Sequence, residues 1–327
     1  MSQVQKFEAK KQEYKMGAEF GIQCNPEDKY LAYAEGLPKV PQRKDYYFMR
    51  SRLRDMMAHW FSDQIGLKLR GDPAVGKTSL VEQFHARMRA PLLLLSCTSG
   101  TEACQLYGSL MPTTEGGLRW VDGPVILAAR MGWSLCLDEF NALDPSVSTG
   151  LNALMDGYSI TIPETGEEVS PQPGFRVYAT ENPITSKLLV TGRNVQDAAN
   201  EDRWMVMDVD YLPQAEAIPL ITAIVATYMP DRDAAQAVAK VMVTTAEKTR
   251  EAFRANQGGF DRPMSHRTLA RWAKLNRMYQ NVGRTESDQK GAPANPVIYS
   301  LQRSFSVSNA EMAEAVTKMA KEAIGIE

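Results

Sequence analysis

Residues 71–78 read GDPAVGKT, and this stretch decides the fold. It follows the short apolar run IGLKL at 65–69 and opens KTSLVEQFHARMRA at 77–90, which has helical periodicity. A glycine-rich GxxxxGK[ST] loop between a strand and a helix turns successive backbone N–H groups towards phosphate groups at the helix N-terminus. The stretch therefore predicts a nucleotide-phosphate site on an α/β sheet.

Each residue type in this loop has an expected task. Gly71 and Gly76 let the backbone curl, Lys77 supplies a cation to the β and γ oxygens, and Thr78 offers a hydroxyl to Mg²⁺. A chance match to the pattern arises in roughly 1% of chains of this length. We therefore expect a nucleotide and Mg²⁺ as the bound groups, with the nucleotide held by Gly71, Asp72, Pro73, Ala74, Val75, Gly76, Lys77, Thr78 and Ser79.

A pair of carboxylates follows a second apolar run. WSLCL at 133–137 ends in Asp138 and Glu139, and a buried strand of an open α/β sheet delivers such residues into the ligand crevice. Asp138 is expected to hold Mg²⁺ through its water shell, and Glu139 to orient and deprotonate the attacking water. The alternative is an ordinary strand end with an acidic surface pair.

A polar residue follows a third apolar run. Asn182 comes after FRVYAT at 175–180, in the sequence ATENP, so its amide should reach the space between the γ-phosphate and Glu139. An asparagine before proline is also a common turn residue.

Two arginines are candidates for sensing or completing the site. Arg203, in NEDRW, precedes the last apolar run, where its guanidinium could reach a phosphate on a neighbouring subunit; the alternative is a local salt bridge with Glu201 or Asp202. Arg267, in MSHRTLARW, lies near the start of a predicted helix. It either reports nucleotide state to its domain or is a solvated arginine.

Apolar runs and helical stretches alternate through the middle of the chain. Their lengths predict a parallel sheet covered on both faces, with strands at 65–69, 92–96, 133–137, 175–180 and 204–210. Two segments interrupt the alternation and are predicted hairpin inserts, 112–123 and 158–169. Beyond residue 212 only helical periodicity remains, so we predict an N-terminal arm (1–40), a nucleotide-binding core (41–212) and a helical subdomain (213–327).

Composition excludes several classes of protein. Lys and Arg number 37 against 39 acidic residues, for a net charge of −2, so no global basic field favours nucleic acid. No apolar run approaches the roughly 20 residues that span a bilayer, and the N-terminus lacks a signal-peptide core, so we expect a cytoplasmic protein without a membrane partner. Four cysteines without a CxxC pair and only three histidines predict reduced thiols and a metal held by oxygen ligands.

The order GDPAVGKT, LDEFNAL, ATENP, NEDRW, MSHRT resembles the AAA+ ATPases of the helix-2-insert group, which include the MoxR-type ATPases and the ATPase subunit of aerobic cobaltochelatase. The resemblance implies a P-loop NTPase (AAA+) fold, with a five-stranded parallel sheet between helices and a small C-terminal helical lid. It also implies a hexameric ring and a partner protein with a von Willebrand type A domain. The residue roles that it implies are Walker A for Gly76, Lys77 and Thr78, Walker B for Asp138 and Glu139, sensor 1 for Asn182, a trans-acting arginine finger for Arg203 and sensor 2 for Arg267.

Three functions fit this sequence. The first is an ATP-driven ring that remodels or activates a partner protein, with metal insertion as the known use in the family. The second is a nucleic-acid motor or restriction-type NTPase, against which stands the lack of a basic and aromatic tract. The third is a nucleotide-gated scaffold, against which stand Glu139, Asn182 and Arg203.

The insert tips are the expected contacts with a protein partner. Their alternative is that they are simply charged loop tips. The polar and aromatic residues that they carry are Glu115, Arg119 and Trp120 in the first insert and Glu164, Glu167 and Glu168 in the second.

Overall fold

A computed structural model describes residues 10–182, 198–255, 257, 259–287, 293–305 and 310–326. The chain divides into two compact units, Met1–Asp72 with Gly76–Val209 and Pro73–Val75 with Asp210–Glu327. Most of the second unit is the part of the chain from Asp210 onwards, and the three predicted domains stay a prediction.

The first unit contains all the named strands and eight of the α-helices that the structure describes. Its strands are β1 (Lys11–Lys15), β2 (Lys29–Tyr33), β3 (Gly66–Arg70), β4 (Leu92–Ser96), β5 (Gly108–Pro112), β6 (Leu118–Asp122), β7 (Ser134–Asp138), β8 (Ile160–Ile162), β9 (Glu167–Val169), β10 (Arg176–Glu181) and β11 (Trp204–Asp208). Its helices are α1 (Met16–Phe20), α2 (Arg50–Phe61), α3 (Lys77–Met88), α4 (Ala103–Tyr107), α5 (Pro124–Met131), α6 (Pro145–Ser148), α7 (Leu151–Met155) and α8 (Ala198–Glu201).

Five of these strands form the predicted parallel sheet, in the order β11-β3-β10-β7-β4. Each of the five predicted apolar runs supplies one strand, and the inner strands β3 and β7 are buried on both faces: Leu67, Lys68 and Leu69, like Leu135, Cys136 and Leu137, have no exposed surface. Such burial is typical of a parallel sheet covered by helices on both sides. The predicted fold class, a P-loop α/β sheet with C-terminal helices, is confirmed.

The pairing of the strands decides which residues meet. Glu181 pairs with Arg70, at the ends of β10 and β3, and the neighbouring β7 ends at Asp138. The segments that follow these strands therefore leave the sheet at one edge. Trp204, which opens β11, pairs with Gly66 at the start of β3, so the residue before it lies at the opposite edge.

Both inserts are hairpins, β5 with β6 and β8 with β9. The first begins at Gly108, four residues before the predicted start. Gly108 has φ of 131°, and a Cβ there would lie 2.4 Å from the carbonyl oxygen of Val121, so the close strand pairing needs glycine. The tip of the second hairpin contains Gly166 at φ of 68°.

The N-terminal segment has structure that the sequence analysis did not predict. Strands β1 and β2 pair antiparallel around α1. Phe20 is buried against Phe48 and Phe84, and the Tyr30 hydroxyl donates to the Arg87 carbonyl at 3.0 Å. The polar, turn-rich composition of this segment gave no indication that Phe20 and Tyr30 are buried against the rest of the unit.

The second unit is helical. Its helices are α9 (Gln214–Ala226), α10 (Arg232–Arg254), α11 (His266–Asn276), α12 (Pro296–Ser304) and α13 (Ala310–Ile324). Asp231, Ser265 and Asn295 cap α10, α11 and α12 through their side chains, which satisfies N–H groups at the start of each helix. Among the described residues of both units, no helix combines the length and the hydropathy that crossing a bilayer requires.

Candidate active site

The loop after β3 adopts the backbone that phosphate binding requires. Gly76 has φ of 99° and immediately precedes α3, and Ala74 has φ of 58°. Left-handed residues in such a loop turn successive N–H groups to one side, which forms an anion-binding concavity. A side chain at Gly76 would strain this turn.

Lys77 lies at the first position of α3 with only 6% of its surface exposed. Its ammonium donates to the carbonyl oxygens of Gly71 and Asp72, at 2.7 and 2.9 Å, and to Oδ1 of Asn182 at 2.8 Å. Two residues 105 positions apart in sequence, both predicted for the site, are thereby in direct contact. This contact sets the Lys77 ammonium beside the Asn182 amide at the phosphate-binding loop.

Thr78 and Asp138 also meet, as the metal prediction requires. The Thr78 hydroxyl donates to Oδ1 of Asp138 at 2.5 Å. Mg²⁺ takes one or two protein oxygens and completes its octahedron with water and substrate phosphates. A hydroxyl and a carboxylate beside a phosphate-binding loop fit that demand, and the described residues contain no group of three or more His, Cys, Asp or Glu that would suggest another metal.

Glu139 is an exposed residue in a left-handed conformation, with φ of 58° and ψ of 44°. This conformation is uncommon for a residue with a side chain and persists where surrounding structure enforces it. Here the Glu139 N–H donates to the Thr180 hydroxyl at 3.1 Å, and that hydroxyl donates to Asp138 at 2.6 Å. The sharp turn after β7 thus directs two consecutive carboxylates differently, one into the crevice and one to solvent.

A buried thiol lies beside these acids. Cys97, one of four free cysteines, donates its backbone N–H to the Asp138 carbonyl at 2.8 Å. Burial, and then the negative charges of Asp138 and Glu139, raise the pKa of the Cys97 thiol to about 12. Cys97 therefore stays protonated and is not a nucleophile at neutral pH.

Arg203 does not join the nucleotide cluster, which consists of Lys77, Thr78, Asp138, Glu139 and Asn182. Its Nε donates to both carboxylate oxygens of Asp156 at 2.9 Å, and its terminal nitrogen lies 2.7 Å from Oδ2. Of the two partners weighed from sequence, Glu201 instead pairs with Lys68 at 2.5 Å. The Arg203 side chain retains 27% exposure.

Arg267 lies in the first turn of α11 in the second unit and is exposed. Its predicted part in sensing the nucleotide stays a prediction.

Sequence reasoning missed several residues that hold the predicted ones in place. Asn141 is 4% exposed and donates its amide N–H to the Asn182 carbonyl at 2.8 Å. Thr180 bridges the two acids, and Asp156 pairs with Arg203. Asn141 and Thr180 stand within motifs already identified, LDEFNAL and ATENP, so proximity to them was an available signal; Asp156 offered none.

Comparison with known proteins shows what the chain is similar to. Residues 66–204 match the AAA domain of the dynein-related subfamily. The chain is 27% identical over 260 residues to aerobic cobaltochelatase subunit CobS of Sinorhizobium sp, covering 77% of each protein. It is 29% identical over 161 residues to protein NorQ of Paracoccus denitrificans, covering 49% of this chain and 58% of NorQ.

Midasin of Dictyostelium discoideum is 31% identical over 169 residues, which is 51% of this chain but 3% of midasin. The chain therefore spans a small part of midasin and most of CobS. Taken with the parallel sheet and its phosphate-binding loop, these likenesses bear out the resemblance found in the motifs. Residues 66–204 match an AAA domain of the dynein-related subfamily, and the chain as a whole is similar to the MoxR-like and CobS-like AAA+ ATPases.

Proposed function

We propose that the chain assembles into a homo-oligomeric, hexameric ring in which Arg203 of one subunit completes the ATP site of the next. The ring uses Mg²⁺ and ATP to remodel or activate a protein partner. The observation that carries the trans arrangement is the register between β3 and β11.

Trp204 pairs with Gly66 at the start of β3, whereas the phosphate-binding loop follows the end of that strand at Arg70. At about 3.3 Å per residue, five residues of strand separate the two places by roughly 17 Å. An arginine side chain is too short for that distance. Arg203 therefore serves a phosphate only if the phosphate belongs to another subunit, and a ring provides one at each interface.

Within its own subunit, each residue of the cluster has a chemical task. Lys77 neutralises charge on the terminal phosphates, and Asn182, which already contacts Lys77 at 2.8 Å, orients the attacking water. Thr78 and Asp138 would hold Mg²⁺, which when bound neutralises charge on the phosphate oxygens. Glu139 accepts the proton of the water from its solvent-facing position.

The hairpins are the proposed contact with the partner. Leu110, Met111 and Leu118 in β5 and β6 are 41%, 51% and 67% exposed, an apolar group that a free hairpin does not need. In the second hairpin Glu164 and Glu168 are exposed. Such carboxylates suit a von Willebrand type A partner, whose metal accepts a ligand in trans.

One hairpin acid has a partner within the chain. Arg130 on α5 donates to Glu167 through two nitrogens, with distances of 2.5 and 3.2 Å, and to Asp122 at 2.9 Å. The same guanidinium thereby joins the base of the first hairpin, at Asp122, to the residue just after the turn of the second, Glu167. Glu167 is better explained as part of this link than as a ligand for a partner, which corrects the expectation from sequence.

The assembly has a direct test in mixed rings. Arg203→Ala subunits should bind ATP and fail to hydrolyse it, and Lys77→Ala subunits should not bind it. When the two are mixed, an intact phosphate-binding loop meets an intact Arg203 at some interfaces, so activity should return. Specific activity of the wild type should also rise with protein concentration. A mixture that stays inactive, with activity per subunit unchanged on dilution, contradicts the proposal.

A further inference from the structure

A lysine lies in the middle of the central sheet, where charged residues are rare. Lys68, on β3, has no exposed surface. A buried ammonium is costly unless it is paired, and this one lies 2.5 Å from Oε1 of Glu201 and 3.7 Å from Oε2 of Glu181. The ring centroids of Phe140 and Trp204 each lie 5.4 Å from the Lys68 Nζ, which is within cation–π range.

Two of these neighbours flank Arg203. Glu201 precedes Arg203 by two residues, and Trp204 follows it directly. The Lys68 ammonium therefore contacts the chain on both sides of the arginine. The Trp204 indole N–H also donates to Asn200 at 3.0 Å, so this short segment is held at several points.

The other two neighbours adjoin the nucleotide cluster. Phe140 follows Glu139, and Glu181 precedes Asn182. Phe140 also packs edge-on against Trp204, with ring centroids 5.3 Å apart. One buried charge thus contacts residues adjacent to the cluster and residues adjacent to the arginine at the opposite edge of the sheet.

The two carboxylates depend on Lys68 to different extents. Glu181 has a second cation, because Nε of Arg70 donates to it at 2.8 Å. Glu201 lies 3.9 Å from Arg70, beyond hydrogen-bond distance, so Lys68 is its main partner. Removal of Lys68 leaves Glu181 paired and releases Glu201, so the damage should fall on Arg203 rather than on Asn182.

We propose that Lys68 is a positioning residue for Arg203, and that it sets the geometry in which a subunit offers this arginine to its neighbour. The inference rests on the proposed ring and names a residue that the ring's chemistry does not itself require. Lys68 is fully buried within β3 and is paired with carboxylates. It acts through Glu201 and Trp204.

The primary variant is Lys68→Met, which keeps an unbranched side chain between the two aromatic rings and removes the charge. ATP affinity, measured by calorimetry with a hydrolysis-deficient Glu139→Gln background, should stay within about twofold. Hydrolysis should fall by about 10- to 100-fold, the loss expected when a catalytic group is misplaced by about 1 Å. Glu201→Gln, a nearly isosteric change at a partly exposed residue, should give a similar loss, and the double variant should be no worse than either.

Mixed rings decide which side of the interface is damaged. A Lys68→Met subunit keeps its own phosphate-binding loop, and a Lys77→Ala subunit keeps Arg203 correctly placed, so mixing the two should restore activity. If Lys68 instead supported its own nucleotide cluster, the mixture would stay inactive and the inference would be wrong. If Lys68→Met does not fold, Glu201→Gln mixed with Lys77→Ala gives the same decision.

The mixture of Arg203→Ala with Lys77→Ala subunits is measured in the same experiment as the reference. Restoration there, without restoration for Lys68→Met or Glu201→Gln, overturns the role of Lys68 and leaves the ring proposal standing. Failure of the reference mixture overturns the trans role of Arg203, and the role of Lys68 with it.

Discussion

The Thr180 hydroxyl donates a hydrogen bond to the Asp138 carboxylate at 2.6 Å. Because the same oxygen accepts the N–H of Glu139 at 3.1 Å, β10 fixes both acidic residues at the end of β7. Thr180 is 2% exposed, so no solvent replaces these bonds. A hydroxyl that is absent from the predicted chemistry therefore holds two residues that are part of it.

Thr180→Val should test this support, since valine has nearly the shape of threonine and lacks the hydroxyl. The N–H of Glu139 would lose its acceptor and the Asp138 carboxylate a donor, at a cost of about 1–3 kcal/mol in unfolding free energy. Turnover should fall, and the Mg²⁺ concentration for half-maximal activity should rise because Asp138 is no longer oriented. Thr180→Ser, which keeps the hydroxyl, is the matched control and should stay near wild type; equal defects in both would assign the effect to packing.

Lys77→Ala and Glu139→Gln should separate binding from hydrolysis. Lys77→Ala removes the phosphate cation and should lose ATP affinity. Glu139→Gln keeps shape and loses the base, so it should bind ATP normally while turnover drops by about 10² to 10⁴. Calorimetry measures the first property and phosphate release the second. Equal losses of affinity would show that the carboxylate is structural.

The left-handed turn at Glu139 predicts an inverted order of stability between two inactive variants. Alanine normally stabilises a chain relative to glycine, because glycine costs more conformational entropy. At φ of 58° the side-chain penalty applies to alanine and not to glycine. Glu139→Gly should therefore be more stable than Glu139→Ala by about 1 kcal/mol in chemical unfolding, although neither retains the base. The ordinary order would mean that the turn relaxes.

Two buried histidines predict acid sensitivity. Burial lowers the pKa of His85 to about 4 and that of His59 to about 3, from the usual 6.5. His85 Nδ1 lies 2.8 Å from the Val81 carbonyl, which can only accept, and Nε2 has no hydrogen-bond partner among the residues that the structure describes. Below about pH 6.5 the unfolded chain therefore binds protons at these histidines that the folded chain does not bind. The contribution of the neutral histidines to the free energy of unfolding is complete above about pH 6.5 and is lost progressively as pH falls towards 4.

His85→Asn keeps a donor for Val81 and does not titrate. Its unfolding free energy should be lower at pH 7.5 because of lost packing. Between pH 6.5 and 5 the wild type should then lose about 2 kcal/mol more than the variant, since each excluded proton contributes up to about 1.4 kcal/mol per pH unit. Parallel curves for the two proteins would exclude His85 as the source of the acid sensitivity.

Capture of a partner should depend on the exposed hairpin acids. The Glu139→Gln ring, held with ATP and Mg²⁺, should retain an isolated von Willebrand type A domain with its metal, and Glu164→Ala with Glu168→Ala should weaken retention. Glu167→Ala is the contrast: it breaks the link to Arg130 and should loosen the hairpin without removing a ligand. Stimulation of the ATPase by single-stranded DNA at physiological salt, without retention of the domain, would favour a nucleic-acid motor.

The sequence predicts the sheet well because buried parallel strands are short apolar runs, and GDPAVGKT fixes where one of them ends. It predicts poorly whatever depends on pairing between distant side chains. Lys68 within IGLKL looks like the polar position of an alternating strand, and Asp156 lies 47 residues before Arg203. Periodicity and turn chemistry report local geometry, so contacts of this kind become visible only once the sheet is assembled.

The register that sets Trp204 level with Gly66 also has a genetic consequence. Each subunit carries parts of two sites at opposite edges of one sheet. In the proposed ring, the residue that is altered therefore decides which subunit loses its activity. Lys77→Ala silences its own site and leaves its neighbour's complete, whereas Arg203→Ala silences the site of a normal neighbour. Co-expressed with the unaltered gene, the second kind of allele should be dominant even though the protein it affects has a normal sequence.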